Sequence, residues 1–452
     1  MTTIKDQVAV EATIAEQAWA DVFGTAMDAI SGCFARSEAR ETARQLTAGL
    51  LMELETRNCW TLADALGHPG PHRLQHLLSR ARFDHGHARR EIAKLTIDRL
   101  TAAGEEVLLV VDETGDAKSS TDCVAAGRQY SGALGGVGLC QVAVHLAAVT
   151  DTTRVIIDRA LYLPADWAAD DERREAAGVP EEITFATKPQ QAGQMVATAI
   201  EDGVRARWFA ADEVYGGREL RQHIRELGLG YAIGVAATHR VTDGAGRRWQ
   251  ARQLINKVQP GQWMRRHTGH GTKGTREYDW AWLDIRADDT PDEHEMGTSV
   301  LVARRHRYTG EVSFYRCFSP GDVALGTLVE IICRRWRIEE TFQLAKGFTG
   351  LDQGQARCWN SWMRWSLFSL IAAAVLALTL HAMGSPPTTG TTRPARLIPL
   401  TCPELVRLLR VLVLPPLSRR RDHFLHWNSW RRHHQAVART YHQQRHHHHD
   451  RP

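Results

Sequence analysis

The 452-residue chain lacks any Cys-x-x-Cys pair. Its eight cysteines, Cys33, Cys59, Cys123, Cys140, Cys317, Cys333, Cys358 and Cys402, are scattered, which argues against a zinc ribbon or a dense disulfide framework. A reducing cytosol is the expected home. Net charge is almost missing as well: 56 Lys and Arg against 52 Asp and Glu leave +4, so the case for a polyanionic partner rests on where charge sits. Residues Met1 to Gly24 mix acids among apolar residues with no basic region ahead of an apolar core, so no secretory signal is expected. The mostly apolar run Ser366 to Leu380 is shorter than the ~20 residues a bilayer span needs. It is expected to be a buried helix, and no membrane partner is expected. No internal repeat is apparent.

The length exceeds one usual hydrophobic core, so two or three domains are expected. Residues 1–100 carry helical periodicity. Within them, Trp60 to Gly67, a Pro69-Gly70-Pro71 turn and His72 to Arg80 fit helix, turn, helix. Arg73 and Arg80 would then be available for DNA phosphates, although an ordinary helical hairpin reads the same way. From 104 the texture becomes α/β. Strands are predicted at 106–111, 140–149, 153–162, 207–211 and 230–235, with helices at 190–201 and 218–227. That order suits a mixed sheet covered by helices.

Residues from about 241 to 320 alternate Trp, Tyr and Thr with Arg and Gly and read as a β-rich insertion. Helix is predicted again over 326–346 and 359–383, closing a domain of 104–383. Residues 384–452 form a linker and a basic tail, with twelve arginines, no lysine and three acids from Arg393 onward. Trp427 to His434 and Arg419 to Arg421 could clamp DNA phosphates there, or form a solvated basic helix. His446 to His449 could chelate a transition metal or be low-complexity sequence.

Two aspartates each end an apolar run: Leu108-Leu109-Val110-Val111-Asp112 and Trp208-Phe209-Ala210-Ala211-Asp212. On the predicted helix around Arg335-Trp336-Arg337-Ile338-Glu339, a rotation of roughly 100° per residue puts Arg335, Glu339, Phe342 and Lys346 in one stripe and turns Glu340 away. Carboxylates are the ligands hard Mg²⁺ or Mn²⁺ prefers, and two such ions promote in-line displacement at phosphorus. Asp112, Asp212 and Glu339 are therefore the candidate metal ligands. Each aspartate could instead cap a turn, and Arg335 with Glu339 alone could be a surface pair worth a few tenths of a kcal/mol.

Taken together these residues resemble the catalytic core of DDE transposases of bacterial insertion sequences, in the branch with a Tyr-x2-Arg-x3-Glu-x6-Lys motif, the insertion-sequence-701-like group of DDE superfamily endonucleases. Arg335, Glu339 and Lys346 stand at its last three positions, and Ile332 replaces the tyrosine. The resemblance implies a ribonuclease H-like sheet and two bound Mg²⁺ or Mn²⁺ ions. It implies strand cleavage that frees a 3′-hydroxyl, and transfer of that hydroxyl to a second phosphodiester. Double-stranded DNA would be the partner, as terminal inverted repeats and target, bound by a homodimer associated with the nucleoid in the cytoplasm.

Arg335 and Lys346 would hold phosphates on either side of the scissile bond. Lys273, in the loop His270 to Gly274, would touch the backbone, and Trp263, Trp280 or Trp282 could stack on an extruded base. The alternatives are a catalytically silent DNA-binding protein derived from such an enzyme, and a metal-dependent nuclease without a joining step.

Overall fold

The computed structural model describes residues 4–102, 104–271, 274–288, 297–384, 398–415 and 420–449. Helices α1 (Ile4–Ala29), α2 (Ser37–Gly49), α3 (Cys59–Ala65), α4 (His72–Ser79) and α5 (His85–Ala102) come first. Strands β1 (Val107–Ala117), β2 (Gly127–Ser131), β3 (Gly136–Val149) and β4 (Arg154–Leu161) follow. Short helices α6 (Ala165–Ala168) and α7 (Asp171–Ala177) then lead to α8 (Lys188–Glu201), β5 (Ala206–Ala211), α9 (Arg218–Glu226) and β6 (Gly230–Val235). After these come β7 (Arg240–Thr242), β8 (Arg248–Gln250), α10 (Ala251–Ile255), β9 (Met264–Gly271), β10 (Gly274–Asp284), β11 (Thr298–His306) and β12 (Val312–Ser319). The chain closes with α11 (Leu325–Arg335), α12 (Arg337–Thr349), α13 (Trp359–Met383), α14 (Cys402–Leu412) and α15 (Arg421–His449).

Two compact units result: Gly86–Leu344, and Met1–His85 with Ala345–Pro452. These limits differ from the expected 1–100, 104–383 and 384–452, for two reasons. Within Gly86–Leu344, α5 is tied to the strands, because Arg89 pairs with Asp158 of β4 at 3.5 Å and with Asp202 at 3.4 Å. Within the other unit, α13 belongs with the first helices. Its Arg364 donates to the Leu77 carbonyl at 3.1 Å, and Phe368 packs 5.8 Å from Phe83.

Helix α13 is the buried helix expected at 359–383. At 25 residues and a mean hydropathy of 2.0 it is long and apolar enough to cross a bilayer, because Trp359 to Trp365 extend the predicted run. Two-thirds of its most apolar stretch is nonetheless buried inside the protein, so packing uses that surface.

The Gly86–Leu344 unit is built on a ten-stranded sheet in the order β2-β3-β1-β5-β6-β12-β11-β10-β9, with β4 paired to β3. β1, β5 and β6 run parallel, and the remaining described pairings in this sheet are antiparallel. The sheet is thus mixed, as expected. The central strands read as continuous apolar runs because both faces are covered: Leu109, Val110 and Val111 of β1 are fully buried. The β-rich segment is no separate module, since β12 pairs with β6 and so continues the same sheet through β11, β10 and β9. On one face, Leu254 and Ile255 of α10 pack with Val235, Leu301, Ala303 and Phe314 to form the core beneath this extension.

In the other unit, α3 and α4 form the expected hairpin. Asn58 caps α3 by accepting from the Trp60 and Thr61 amides at 2.9 and 3.0 Å, a contact typically worth about 1 kcal/mol. Helix α15 docks across the hairpin's turn. Trp427 is fully buried and donates to the His68 carbonyl at 2.9 Å, His426 bonds the Pro69 carbonyl at 2.7 Å, and Arg431 and His423 each reach Asp64 at 2.9 Å.

Candidate active site

Register brings the two aspartates side by side. Val110 pairs with Ala210 in the parallel β1–β5 ladder, so two residues on, Asp112 and Asp212 stand level on neighbouring strands. β5 ends at Ala211 whereas β1 runs on to Ala117, so Asp112 lies within a longer strand than its apolar run suggests. Asp212 turns out of the sheet, and its Oδ1 accepts from the Val214 amide at 2.9 Å, capping a short 3-10 turn over Glu213–Tyr215. This turn rests on β6. A Cβ on Gly234 would stand 3.0 Å from the Glu213 amide nitrogen, so a side chain there would push the two backbones apart by a few tenths of an ångström.

The third acid arrives on a helix. The predicted single helix over 326–346 is instead two, broken at Trp336. Arginines on either side of the break grip the β3–β4 turn: Arg334 pairs with Asp151, and Arg337 donates to the Thr150 and Asp151 carbonyls. Arg335 is left to face the sheet. Its Nη1 lies 3.4 Å from Asp112 Oδ2 and its Nη2 lies 3.2 Å from Glu339 Oε1, so one guanidinium bridges acids 227 residues apart in sequence. The Arg335 side chain is only 14% exposed, which separates it from a solvated surface pair.

Phe342, one turn on, sets its ring edge-on to His145 at 5.1 Å. His145 is the cross-strand partner of Asp112 and therefore shares its face of the sheet. Glu340 points elsewhere and pairs with Arg154 at 3.1 Å. Lys346 follows on the same helix, half-buried, beyond the boundary between the two units.

Electrostatics mark the site as short of positive charge. Burial, and then the neighbouring Asp212, push Asp112 up to about 7, against a smaller downward pull from Arg335. Asp212 is raised by burial and then by Glu113. Glu339 is raised by burial, which its contact with Arg335 only partly offsets. Three carboxylates disfavoured as anions are what a bound cation relieves.

Sequence reasoning missed the supports on the opposite face. Glu113 follows Asp112 and so points the other way, where Lys188 Nζ reaches its Oε1 at 2.7 Å and the Tyr215 hydroxyl its Oε2 at 2.6 Å. Lys188 is fixed in the first turn of α8 by the Thr187–Gln190 capping box. Tyr215 is fully buried. Its place three residues after Asp212 was the available signal.

The other expected contacts fare unequally. Trp280 is completely buried, 6.4 Å from the Tyr315 ring, and so is closed to a base. The Arg305 guanidinium covers Trp263 at 4.1 Å. Trp282 is partly exposed. Lys273 lies outside the described residues, as do the side chains of His446 to His449. Arg73 and Arg80 are exposed on α4 and at its end, Arg73 donating to Thr42 Oγ1 at 2.9 Å.

The mixed sheet, ribonuclease H-like, with acids on adjacent strand ends and a third on a covering helix, defines a nuclease-type fold. A family model described as DDE superfamily endonuclease matches residues 29–286, and the chain belongs to that family. It is also similar to a probable transposase for insertion sequence element IS701 from Microchaete diplosiphon, 25% identical over 205 residues, or 44% of this chain and 50% of that protein. The chain thus spans about half the length of this curated relative.

The family match encloses Asp112 and Asp212 but ends before Glu339, whose place in the site rests on geometry. Endonucleases of this superfamily generally use divalent metal ions. Among the described residues no group of three His, Cys, Asp or Glu side chains stands close enough to hold an ion, and Arg335 lies between two of the three acids. The donor set nonetheless suits such an ion, being all carboxylate and raised chiefly by burial.

Proposed function

We propose that the chain is an insertion-sequence transposase that cleaves and joins DNA strands at transposon ends, with Asp112, Asp212 and Glu339 as ligands of two Mg²⁺ or Mn²⁺ ions. The observation that carries this reading is Arg335, bonded at once to Asp112 on β1 and Glu339 on α12, beside Asp212. Such ions, when bound, polarise the phosphate and favour an oxygen nucleophile. The protein's own part is to hold three carboxylates in register and to supply cations for the phosphates.

Arg335 exchanges a carboxylate for a phosphate oxygen as DNA enters, since its planar fork suits either. Lys346, Lys273, Arg73 and Arg80 make further phosphate contacts, and Trp282 or Trp263 meets a base. The substrate is double-stranded DNA carrying the element's terminal inverted repeats, followed by target DNA, handled by a homodimer in the cytoplasm.

The test is cleavage of the element's own terminal repeats in Mg²⁺. Asp212→Ala and Glu339→Ala abolish it, whereas Glu340→Ala, altering only the pair with Arg154, stays near wild type. Wild-type cleavage by either of the first two refutes the ligand assignment. One observation favours a second reading, a DNA-binding protein without catalysis: Ile332, at the motif's tyrosine position, is buried and offers no hydroxyl. Metal-dependent nicking distinguishes the two, and a strand-joining assay separates a transposase from a simple nuclease.

A further inference from the structure

The basic tail has two sides. At roughly 100° per residue, the residues that bind α15 to the hairpin, His423, His426, Trp427, Trp430, Arg431 and His434, fall between about 140° and 280° from Arg421. Trp430 packs 4.7 Å from Trp60 and stacks 5.3 Å from His434, which itself lies 4.6 Å from Trp60. Arg421, Arg432 and Arg439 fall within about 20° of one another on the far side. All three are exposed, and among the described residues none pairs with an acid. No Asp or Glu occurs between Asp422 and Asp450. The exposed apolar residues Phe424, Leu425, Val437 and Tyr441 are spread round the helix and form no stripe on which a second helix could pack.

We infer that the Arg421–Arg432–Arg439 face of α15 is a docking surface for the phosphate backbone of duplex DNA, independent of base sequence. Charge complementarity carries the assignment: a stripe of unpaired guanidiniums about 27 Å long, at 1.5 Å per residue, parallels about eight base steps of a strand. Docking by Trp427 and its neighbours fixes the helix, so its arginines face outward without further ordering. The inference rests on the preceding reading only in taking DNA as the polyanion.

The experiment uses the full chain carrying Asp212→Ala, so that no cleavage intrudes, and a random-sequence duplex of about 30 base pairs followed by fluorescence anisotropy over a range of KCl. Replacing all three arginines with glutamine weakens binding and lowers the slope of log K against log salt by about 2.7, at about 0.9 per lost phosphate contact. The Arg432→Gln/Arg439→Gln pair lowers it by about 1.8, and Arg407→Gln on α14 leaves it unchanged. An unaltered slope in the triple and double variants overturns the assignment, as does an equal loss in Arg407→Gln. So does a triple variant that binds DNA normally but sediments as a smaller species, which would give the face to a second copy of the chain. Because binding is read without cleavage, failure of the transposase reading would appear separately, as Asp212→Ala protein that still cuts.

Discussion

The phenol of Tyr215 donates to Oε2 of Glu113 at 2.6 Å, and this contact ties the turn capped by Asp212 to the strand that carries Asp112. Glu113 completes the link through its backbone, since its amide donates to Asp112 Oδ1 at 2.8 Å. The two aspartates are thus held by one residue between them that is no proposed ligand.

Tyr215→Phe tests that link. It removes a donor from a carboxylate that is 18% exposed, at a cost of roughly 1–3 kcal/mol. The Mg²⁺ concentration for half-maximal cleavage should rise on the order of 10- to 100-fold, as when groups supporting metal ligands are lost. A titration of cleavage against Mg²⁺ measures it, and an unshifted midpoint would show that the link is only structural.

Asp112 sets the pH dependence. Its folded-state value, about 7, lies above the ordinary 3.8, so the metal-free folded protein holds a proton that the unfolded chain releases. Its contribution to stability is fully present below about pH 4 and is lost as pH rises through about 7. A divalent ion must displace that proton. Thermal melts at pH 5.5 and 8 should therefore show a larger Mg²⁺-induced rise in Tm at pH 8, and an equal or reversed difference contradicts the assignment.

Arg335→Ala removes the pull that lowers Asp112 and Glu339. Both carboxyls then move further up, and the pH at which Mg²⁺ begins to stabilise the protein moves up with them. Cleavage should fall by at least 100-fold. Arg335→Lys, which keeps the charge but not the fork, should recover the stability profile better than the activity.

Gly234→Ala sets a methyl group against the backbone of the Asp212 turn. All three contacting atoms are main chain, so the strain costs about 1–3 kcal/mol, typical of overpacking. The expected signs are a lower Tm and a loss of cleavage larger than the stability change explains. A variant that melts and cuts like wild type would mean the turn shifts freely.

Much of this arrangement was legible in sequence because the central strands are buried on both faces and announce themselves as apolar runs. The parallel strands β5 and β6 fell within a residue or so of their predicted limits, and the juxtaposition of Asp112 with Asp212 was legible because each follows such a run. The break at Trp336 was hidden, since the contacts that flank it, from Arg334 and Arg337, run to a turn nearly two hundred residues away. Tyr215, Lys188 and Glu113 were hidden for the same reason: their hydrogen bonds join three elements, and periodicity reports only one at a time. Trp280 was ambiguous for another reason, because an alternating aromatic strand reads the same whether its face is open or covered.

The pairing of β12 with β6 bears on how such proteins could be shortened or recombined. Residues 241–320 look like a cassette in the linear chain, yet deleting them would strip β6 of one of its two neighbouring strands and leave an open row of amides and carbonyls a few residues from Asp212. A viable truncation would have to supply a new edge in the same stroke, so this stretch can be exchanged for another β-hairpin more readily than it can be dispensed with.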